Sequence, residues 1–276
     1  MAGLESRCIG FLGAGAMGEA LAGGLVAAGV PADHLRAADP DAAQRERIAR
    51  ALGIEVSAEN AAVVRQSDIV VIAVKPTVVA RALNGLRKEV SGALGAPLWI
   101  SIAAGVSLAR LAADLPPGAR IVRAMPNTPA LVRAGATAFA ANPSATAADR
   151  ATAKAIFESV GFAWEAPDEA LLDAVTGLSG SGPAYVFVFL EALADAGVRA
   201  GLPRDAAHRL ACQTVLGAAK LALESGQHPG QLKDRVTSPG GTTIAGLARL
   251  EAGGFRAAVL EAVDAAARRS RELGGS

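Results

Sequence analysis

Hydrophobic positions in the first half of the chain fall into short, separate runs. Runs that are apolar at nearly every position predict strands buried on both faces of a sheet. Such strands are expected over residues 8–12, 34–38, 69–74, 98–103 and 121–124. Segments with helical spacing lie between them, as at residues 16–28 and 42–52, and Ser107 is a predicted N-cap of another. Alternating strands and helices predict a doubly wound, parallel sheet.

The pattern changes in the second half, where no strand is predicted from about Ala170 onward. Helices are expected there, with proline near their starts and glycine past their ends. The stretch Ala184–Ala196 is apolar on most of its circumference except at Glu191 and Asp195. A helix of this kind must be buried nearly all round, and a domain of this size offers little room for it. We therefore expect part of its surface to lie in an interface between subunits.

A glycine turn follows the first predicted strand and opens the first predicted helix. Its sequence is Gly13-Ala14-Gly15-Ala16-Met17-Gly18. In this context the first glycine allows a tight turn, the second lets the backbone approach a pyrophosphate, and the third permits close packing of helix on strand. Together with the alternating first half and the helical second half, the turn predicts an α/β protein: an N-terminal Rossmann-type domain with a doubly wound parallel sheet at residues 1–166, followed by an all-α domain at residues 167–276.

Asp39 lies 21 residues after Gly18, at the end of the second predicted strand. That spacing is typical of the carboxylate that accepts a hydrogen bond from the ribose 2′-hydroxyl of a dinucleotide. A carboxylate there favours NADH, because it repels the 2′-phosphate of NADPH. Arg45 and Arg47 lie just downstream and could reach a phosphate, although a solvated helix face also explains them. The cofactor is therefore expected to be NAD(H) or NADP(H).

Composition and charge narrow the class of protein. Hydrophobic residues make up 51% of the chain and charged residues 19%, which is typical of a globular protein. The net charge of +1 and the single tyrosine argue against nucleic-acid binding. Two cysteines are too few for a disulfide framework, no metal site is predicted, and no apolar run approaches the roughly 20 residues of a membrane span. A cytoplasmic protein without a membrane partner is expected.

Three polar segments lie where a sheet edge or a helix start would bind a ligand. Ala73-Val74-Lys75-Pro76 and Arg123–Pro129 each end a buried strand, at the carboxyl edge where doubly wound sheets bind their ligands. Ser238–Thr243 combines glycines and hydroxyl groups just before a helical pattern. That combination is typical of a site for a small carboxylate.

These motifs, in this order, resemble the pyrroline-5-carboxylate reductase family over nearly the whole chain. Besides the glycine turn, the resemblance rests on Ala73–Pro76, Ser101–Gly105, Arg123–Pro129, Gly177–Tyr185, His228–Gly230 and Ser238–Thr243. It implies NAD(P)H-dependent reduction of 1-pyrroline-5-carboxylate to L-proline, the last step of proline biosynthesis. It also implies that the all-α domain at residues 167–276 is a dimerisation domain that interlocks with a partner, as a dimer or a ring of dimers. Asp39 departs from the family pattern, because many members carry a small hydroxyl residue there.

The resemblance also implies roles for particular residues. Thr243 is expected to be catalytic, with its hydroxyl near the imine nitrogen, although it could also serve as an N-cap. The substrate is expected to contact Ser238, Gly240, Gly241, Thr242 and Thr243. Cofactor contacts are expected from Gly13, Ala14, Gly15, Ala16, Met17, Gly18, Asp39, Asn60, Ala73, Val74, Lys75, Pro76, Ala103, Ala104, Met125, Pro126, Asn127 and Glu169. A structural salt bridge is the competing interpretation of Lys75, and an exposed acid before a helix is that of Glu169.

Two alternatives remain open from the sequence. One is a reductase of a different imine or of a hydroxyacid, but hydroxyacid dehydrogenases resemble one another in a lysine on the first long helix of the second domain. Residues 182–196 contain none. The other is a non-catalytic dinucleotide sensor, which would have no reason to keep Ser238–Thr243.

Overall fold

An eight-stranded sheet forms the centre of the computed structural model, which describes residues 3–90 and 97–274. The strands are β1 Ile9–Leu12, β2 Leu35–Ala38, β3 Glu55–Ser57, β4 Ile69–Ile72, β5 Leu98–Ser101, β6 Arg120–Met125, β7 Gly135–Ala141 and β8 Gly161–Glu165. Their order across the sheet is β3-β2-β1-β4-β5-β6-β7-β8. The strand order reverses at β1 and β4, which are parallel neighbours, and this switch point creates the crevice in which doubly wound proteins bind ligands.

Helices cover the sheet and make up the second half. They are α1 Ala16–Ala27, α2 Ala42–Leu52, α3 Asn60–Arg65, α4 Pro76–Val90, α5 Leu108–Asp114, α6 Ala147–Glu158, α7 Leu171–Val175, α8 Gly182–Arg199, α9 Arg204–Ser225, α10 Pro229–Arg235, α11 Thr242–Ala252 and α12 Phe255–Gly274. A π-helical turn, Thr176–Gly180, follows α7. The predicted bounds of α2 are confirmed, and so is the Ser107 cap, whose hydroxyl accepts from the N–H of Arg110 at 3.2 Å.

The prediction of a doubly wound parallel sheet is confirmed for β1, β2, β4, β5 and β6, and one antiparallel pair is added by β7, which the sequence did not indicate. Strands β6 and β7 pair antiparallel, with Ala124 opposite Phe139. The connection between them holds one 3₁₀ turn, Thr128–Val132, and is too short for the crossover that a parallel pair requires. Every other pair in the sheet is parallel.

Two apolar layers, one on each face of the sheet, form the core. Phe11, Ile100 and Phe157 belong to one layer, while Trp99 and Ile121 belong to the other. Each of these five side chains is at most 1% exposed. Strands such as β4, with sequence IVVI, are buried at every position because both of their faces are covered.

The described residues form two compact units. One comprises Met1–Ser181 and Ala265–Ser276, and the other Gly182–Asp264. The chain thus leaves the first unit near the start of α8 and returns to it within α12. The hydroxyl of Ser270 donates to Asp173 Oδ1 at 2.6 Å, which fixes the returning segment. This division lies 15 residues beyond the predicted boundary at 166/167 because α7 packs against β6 and β7.

The second unit is entirely helical, as predicted. Helices α8 and α9 pack against each other, and the rings of Phe189 and Phe255 lie 5.9 Å apart. Within the single chain α8 is mostly exposed or half-buried, as expected for a helix whose apolar surface is predicted to lie partly in an interface between subunits. Ala194 is its one fully buried residue, and Phe187 and Val188 are 62% and 67% exposed.

One helical segment of the described residues, Leu171–Arg199, is long and apolar enough to span a membrane. The expectation that no segment reaches this threshold is therefore wrong. Length and composition alone are weak evidence for a membrane, since a helix that packs against another subunit meets the same criteria.

Candidate functional site

The glycine turn joins β1 to α1 at the carboxyl edge of the sheet. Gly13 has a φ of +97°, which favours glycine, and a Cβ there would lie 2.8 Å from the carbonyl oxygen of Ala73. A Cβ on Gly18 would lie 2.6 Å from the carbonyl oxygen of Gly13. Packing inside the protein therefore accounts for these two glycines.

Gly15 is different, because nothing in the protein requires a glycine there. Its φ of −68° suits any residue, and a Cβ would meet no atom within 4 Å. Gly15 is the N-cap of α1, so it lies beside the helix's unpaired N–H groups and the positive end of its dipole. A backbone that leaves open space at such a point fits the pyrophosphate of a dinucleotide.

Asp39 lies directly beside this turn. Its Oδ2 accepts from the N–H of Ala14 at 3.0 Å, and its Oδ1 accepts from the N–H of Asp41 at 3.0 Å. The side-chain amide of Gln44 donates to the carbonyl of Ala14, an additional support that the sequence did not indicate. Asp39 therefore helps to hold the turn in shape, whatever else it contacts.

The two downstream arginines are both engaged within the protein. Arg45 Nη1 donates to the carbonyl oxygens of Asp39 and Pro40, at 3.0 and 2.9 Å. Arg47 makes two hydrogen bonds to Glu19, at 2.8 and 2.6 Å, and these raise the pKa of its guanidinium. Arg47 lies on α2 and its side chain pairs with Glu19, which agrees better with the interpretation as a solvated helix face than with a role in binding phosphate.

A cavity of about 370 Å³ lies between the end of β2 and α4. Three predicted cofactor residues line this cavity together, although they are separated in sequence: Gly13, Asn60 and Val74. Arg81, which the sequence did not indicate, also lines this cavity. The position of this cavity beside the glycine turn suits the adenosine part of a dinucleotide.

A larger cavity, of about 940 Å³, lies at the carboxyl edge after β4 and β5. Pro76 and Ala104, both predicted cofactor residues, lie in its wall with Ser107, Ser181 and Leu273. Lys75 is exposed, and none of the ion pairs in the described ranges involves it. Its competing interpretation as a structural salt bridge is therefore not supported.

The Met125-Pro126-Asn127 segment is held firmly in place. Asn127 is 9% exposed, its side-chain oxygen accepts from the N–H of Ala136 at 2.8 Å, and its side-chain nitrogen donates to the carbonyl of Ser179 at 3.0 Å. Pro126 is buried, and a Cβ on Gly180 would lie 2.6 Å from Met125 Cε. Asn127 thus orders the loop, while contact of this segment with nicotinamide stays a prediction.

Glu169 links three parts of the first unit. Its Oε1 accepts from Arg123 Nη1 on β6 at 2.6 Å and from the N–H of Leu108 at 2.8 Å. Arg123 is 9% exposed, and a charged residue in a buried apolar strand signals the need for a partner. The pair positions the loop after β5, which carries Ala103 and Ala104.

Replacing Glu169 with alanine is expected to lower the free energy of unfolding by about 2 kcal/mol, because it leaves the buried Arg123 without a partner. Glu165→Ala is the matched control. Its ion pair with Arg150 is about 40% exposed on both sides and is expected to contribute less than about 1 kcal/mol. Urea denaturation of both variants measures the difference. Equal losses would mean that the Arg123–Glu169 pair has no special structural role.

The segment Ser238–Thr243 belongs to the helical unit and leads into α11. Gly240 has a φ of +66°, the N–H of Gly241 donates to the carbonyl of Ser238 at 3.1 Å, and Gly241 is the N-cap of the helix. The N-cap interpretation of Thr243 is therefore wrong, since Thr243 is the second residue of α11. It is half-buried, whereas Ser238 and Thr242 are exposed.

The sheet order and the glycine turn together define a dinucleotide-binding protein of the Rossmann class. Family models match residues 8–105 to "NADP oxidoreductase coenzyme F420-dependent" and residues 169–273 to "Pyrroline-5-carboxylate reductase dimerisation". The chain belongs to the pyrroline-5-carboxylate reductase family.

Relatives of known name support this assignment over nearly full length. The pyrroline-5-carboxylate reductase of Synechocystis is 51% identical over 96% of this chain and 98% of its own, and that of Methanosarcina acetivorans is 49% identical over 98% and 99%. The solved reductase of Coxiella burnetii superposes with a TM-score of 0.91 at 36% identity, covering 97% and 98% of the two chains. The Plasmodium falciparum reductase, solved with NADP bound, gives 0.87 at 36% identity, covering 99% and 100%.

Proposed function

We propose that this chain reduces 1-pyrroline-5-carboxylate to L-proline with NADH or NADPH, as the last step of proline biosynthesis. The assignment to an NAD(P)H-dependent reductase rests on the named relatives and on the solved relative that binds NADP. Within the structure, the observation that carries it is Gly15, which leaves open space at a helix N-terminus where packing imposes no glycine.

Residues 238–243 are proposed to hold the substrate while the cofactor that reduces it is bound by the partner subunit. The first N–H groups of α11, at Thr242 and Thr243, have no acceptor within the helix and lie at the positive end of its dipole. They suit the substrate carboxylate. Gly240 and Gly241 keep the backbone accessible, and the hydroxyl of Ser238 is exposed for a further hydrogen bond.

Thr243 is proposed as the catalytic residue. When bound, the reduced nicotinamide supplies a hydride to the imine carbon, and the ring nitrogen carries a proton. The hydroxyl of Thr243 would contact that nitrogen, orient the ring and hold or pass its proton. Alignment of this kind accounts for a large share of the rate in a reaction whose electrophile is already activated.

The cofactor is proposed to lie along the carboxyl edge of the first unit. The turn Gly13–Gly18 would hold the pyrophosphate, and Asn60 and Val74 the adenosine side. The nicotinamide side is proposed to be bordered by Ala73, Lys75, Pro76, Ala103, Ala104, Met125, Pro126, Asn127 and Glu169. Support comes from the two cavities, which contain Gly13, Asn60, Val74, Pro76 and Ala104 in their walls.

The helical half mediates self-association, in keeping with the dimerisation family that residues 169–273 match. We propose a dimer or a ring of dimers, with the exposed apolar surface of α8 in the interface. We also propose that the protein acts in the cytoplasm without a membrane or nucleic-acid partner. The carboxylates Glu191 and Asp195 in α8 and the net charge of +1 support this proposal.

The test is to mix the protein with 1-pyrroline-5-carboxylate and either NADH or NADPH, and to follow the absorbance of the reduced nicotinamide. Oxidation with at least one cofactor, with proline as the product, is the expected result. A non-catalytic sensor would bind the dinucleotide without oxidising it. A reductase of another ring or of a hydroxyacid would oxidise it only with that other substrate.

A further inference from the structure

We propose that this chain prefers NADH to NADPH and that the carboxylate of Asp39 sets the preference. The inference rests on the proposed function, because it concerns the cofactor of the same site. It starts from the fixed position of Asp39. Both oxygens accept backbone N–H groups, from Ala14 and Asp41, so the carboxylate is held in place and cannot swing away from an approaching phosphate.

The carboxylate is held at the point where the adenosine ribose must lie. Ala14 belongs to the turn that suits the pyrophosphate, and Ala38 and Pro40, on either side of Asp39, line the 370 Å³ cavity that suits adenosine. A ribose that joins these two places passes Asp39. Its hydroxyl groups can donate to the remaining lone pairs of the carboxylate, whereas a 2′-phosphate has only acceptors to offer.

The two arginines just downstream of Asp39 already donate hydrogen bonds within the protein. Arg45 donates to the carbonyl oxygens of Asp39 and Pro40, and Arg47 forms its two hydrogen bonds with Glu19. An arginine that binds a phosphate tightly uses two parallel N–H groups, and for Arg47 that pair of donors already serves a carboxylate.

The remaining charged groups around this place are mostly acidic. Asp41 accepts from the N–H groups of Ala43 and Gln44 as the cap of α2. In the cavity, Arg81 shares the wall with Glu59 and Glu89. A 2′-phosphate, which carries close to two negative charges, is therefore brought among the four carboxylates of Asp39, Asp41, Glu59 and Glu89, and the three arginines nearby are Arg45, Arg47 and Arg81. Repulsion of this kind rejects one ligand without strengthening contacts to the other.

The experiment measures binding by isothermal titration calorimetry on the full chain without substrate, using NAD⁺ and NADP⁺. The fragments 5′-AMP and 2′,5′-ADP serve as probes of the 2′-phosphate alone. NAD⁺ is expected to bind the wild-type protein at least about tenfold more tightly than NADP⁺. Equal binding, or tighter binding of NADP⁺, would overturn the proposal.

Asp39→Asn is expected to reduce the ratio of the Kd of NADP⁺ to the Kd of NAD⁺ about tenfold. The change should come mainly from tighter NADP⁺ binding, because the substitution removes the charge and keeps the shape of the side chain. Any loosening of the turn affects both dinucleotides, so the ratio remains the readout. Asp41→Asn is the matched control. It removes one charge nearby and keeps a good N-cap, and the ratio is expected to change by less than about twofold. An unchanged ratio in Asp39→Asn, or the same change in both variants, would show that Asp39 is not the determinant.

The reductase assay separates the two proposals. If pyrroline-5-carboxylate oxidises neither cofactor while NAD⁺ still binds more tightly, the proposed function fails and the inference about Asp39 stands. If NADPH is oxidised faster and binds more tightly, the proposed function stands and the inference fails.

Discussion

Gly15→Ala is expected to weaken dinucleotide binding about 100-fold, equivalent to about 2.7 kcal/mol, in a protein that folds normally. The backbone at Gly15 is extended and a Cβ meets no atom within 4 Å, so the methyl group causes no strain. It would instead occupy the space between α1 and a bound pyrophosphate. The poorer N-cap costs at most about 1 kcal/mol of stability.

Gly18→Ala is the contrasting variant. Its Cβ would lie 2.6 Å from the carbonyl oxygen of Gly13, and neither backbone can move without disturbing β1 and α1. We expect a loss of about 3 kcal/mol in the free energy of unfolding. Urea denaturation and calorimetric titration on both variants give two opposite patterns. Normal dinucleotide affinity in Gly15→Ala would contradict the assignment of the pyrophosphate site.

Thr243→Val is expected to lower kcat about 100-fold while the Kd of the dinucleotide changes by less than about twofold. Valine has the shape of threonine but lacks the hydroxyl, and position 243 lies inside α11, after the N-cap Gly241, so the helix should form normally. Steady-state kinetics and cofactor titration together provide the measurement.

Thr243→Ser is the matched control, since it retains a hydroxyl at the same position. We expect it to keep kcat within about fivefold of the wild-type value. Unchanged kinetics in Thr243→Val would remove Thr243 from the mechanism. An equal loss in both variants would mean that the methyl group, through packing, matters more than the hydroxyl.

Much of the fold was predictable because its strands have a strong local signal. The buried runs that became β1, β4, β5 and β6 are rich in branched apolar residues. Strand β7, with sequence GATAFAA, was not predicted, because alanine does not favour strands and β7 gains its stability from its neighbours. β3 was missed as well, since it has only three residues and none is buried.

Some features of the candidate site were predictable from the sequence and others were not. The glycine turn was predictable because its residues act through local backbone geometry and lie within six positions of one another. The partners of Glu169 were not, since Arg123 and Leu108 lie 46 and 61 positions away and meet it only in the folded sheet. The structural role of Asn127 was hidden for the same reason.

The return of α12 to the first unit has a consequence for the order in which the protein is made. Its residues from Ala265 onward help to complete the unit that carries the glycine turn, and Leu273 lies in the wall of the 940 Å³ cavity. On a ribosome, these residues emerge only after the helical unit, Gly182–Asp264, has been synthesised. The dinucleotide-binding half, although its synthesis starts before that of the helical unit, therefore completes its folding only after the helical unit has been made.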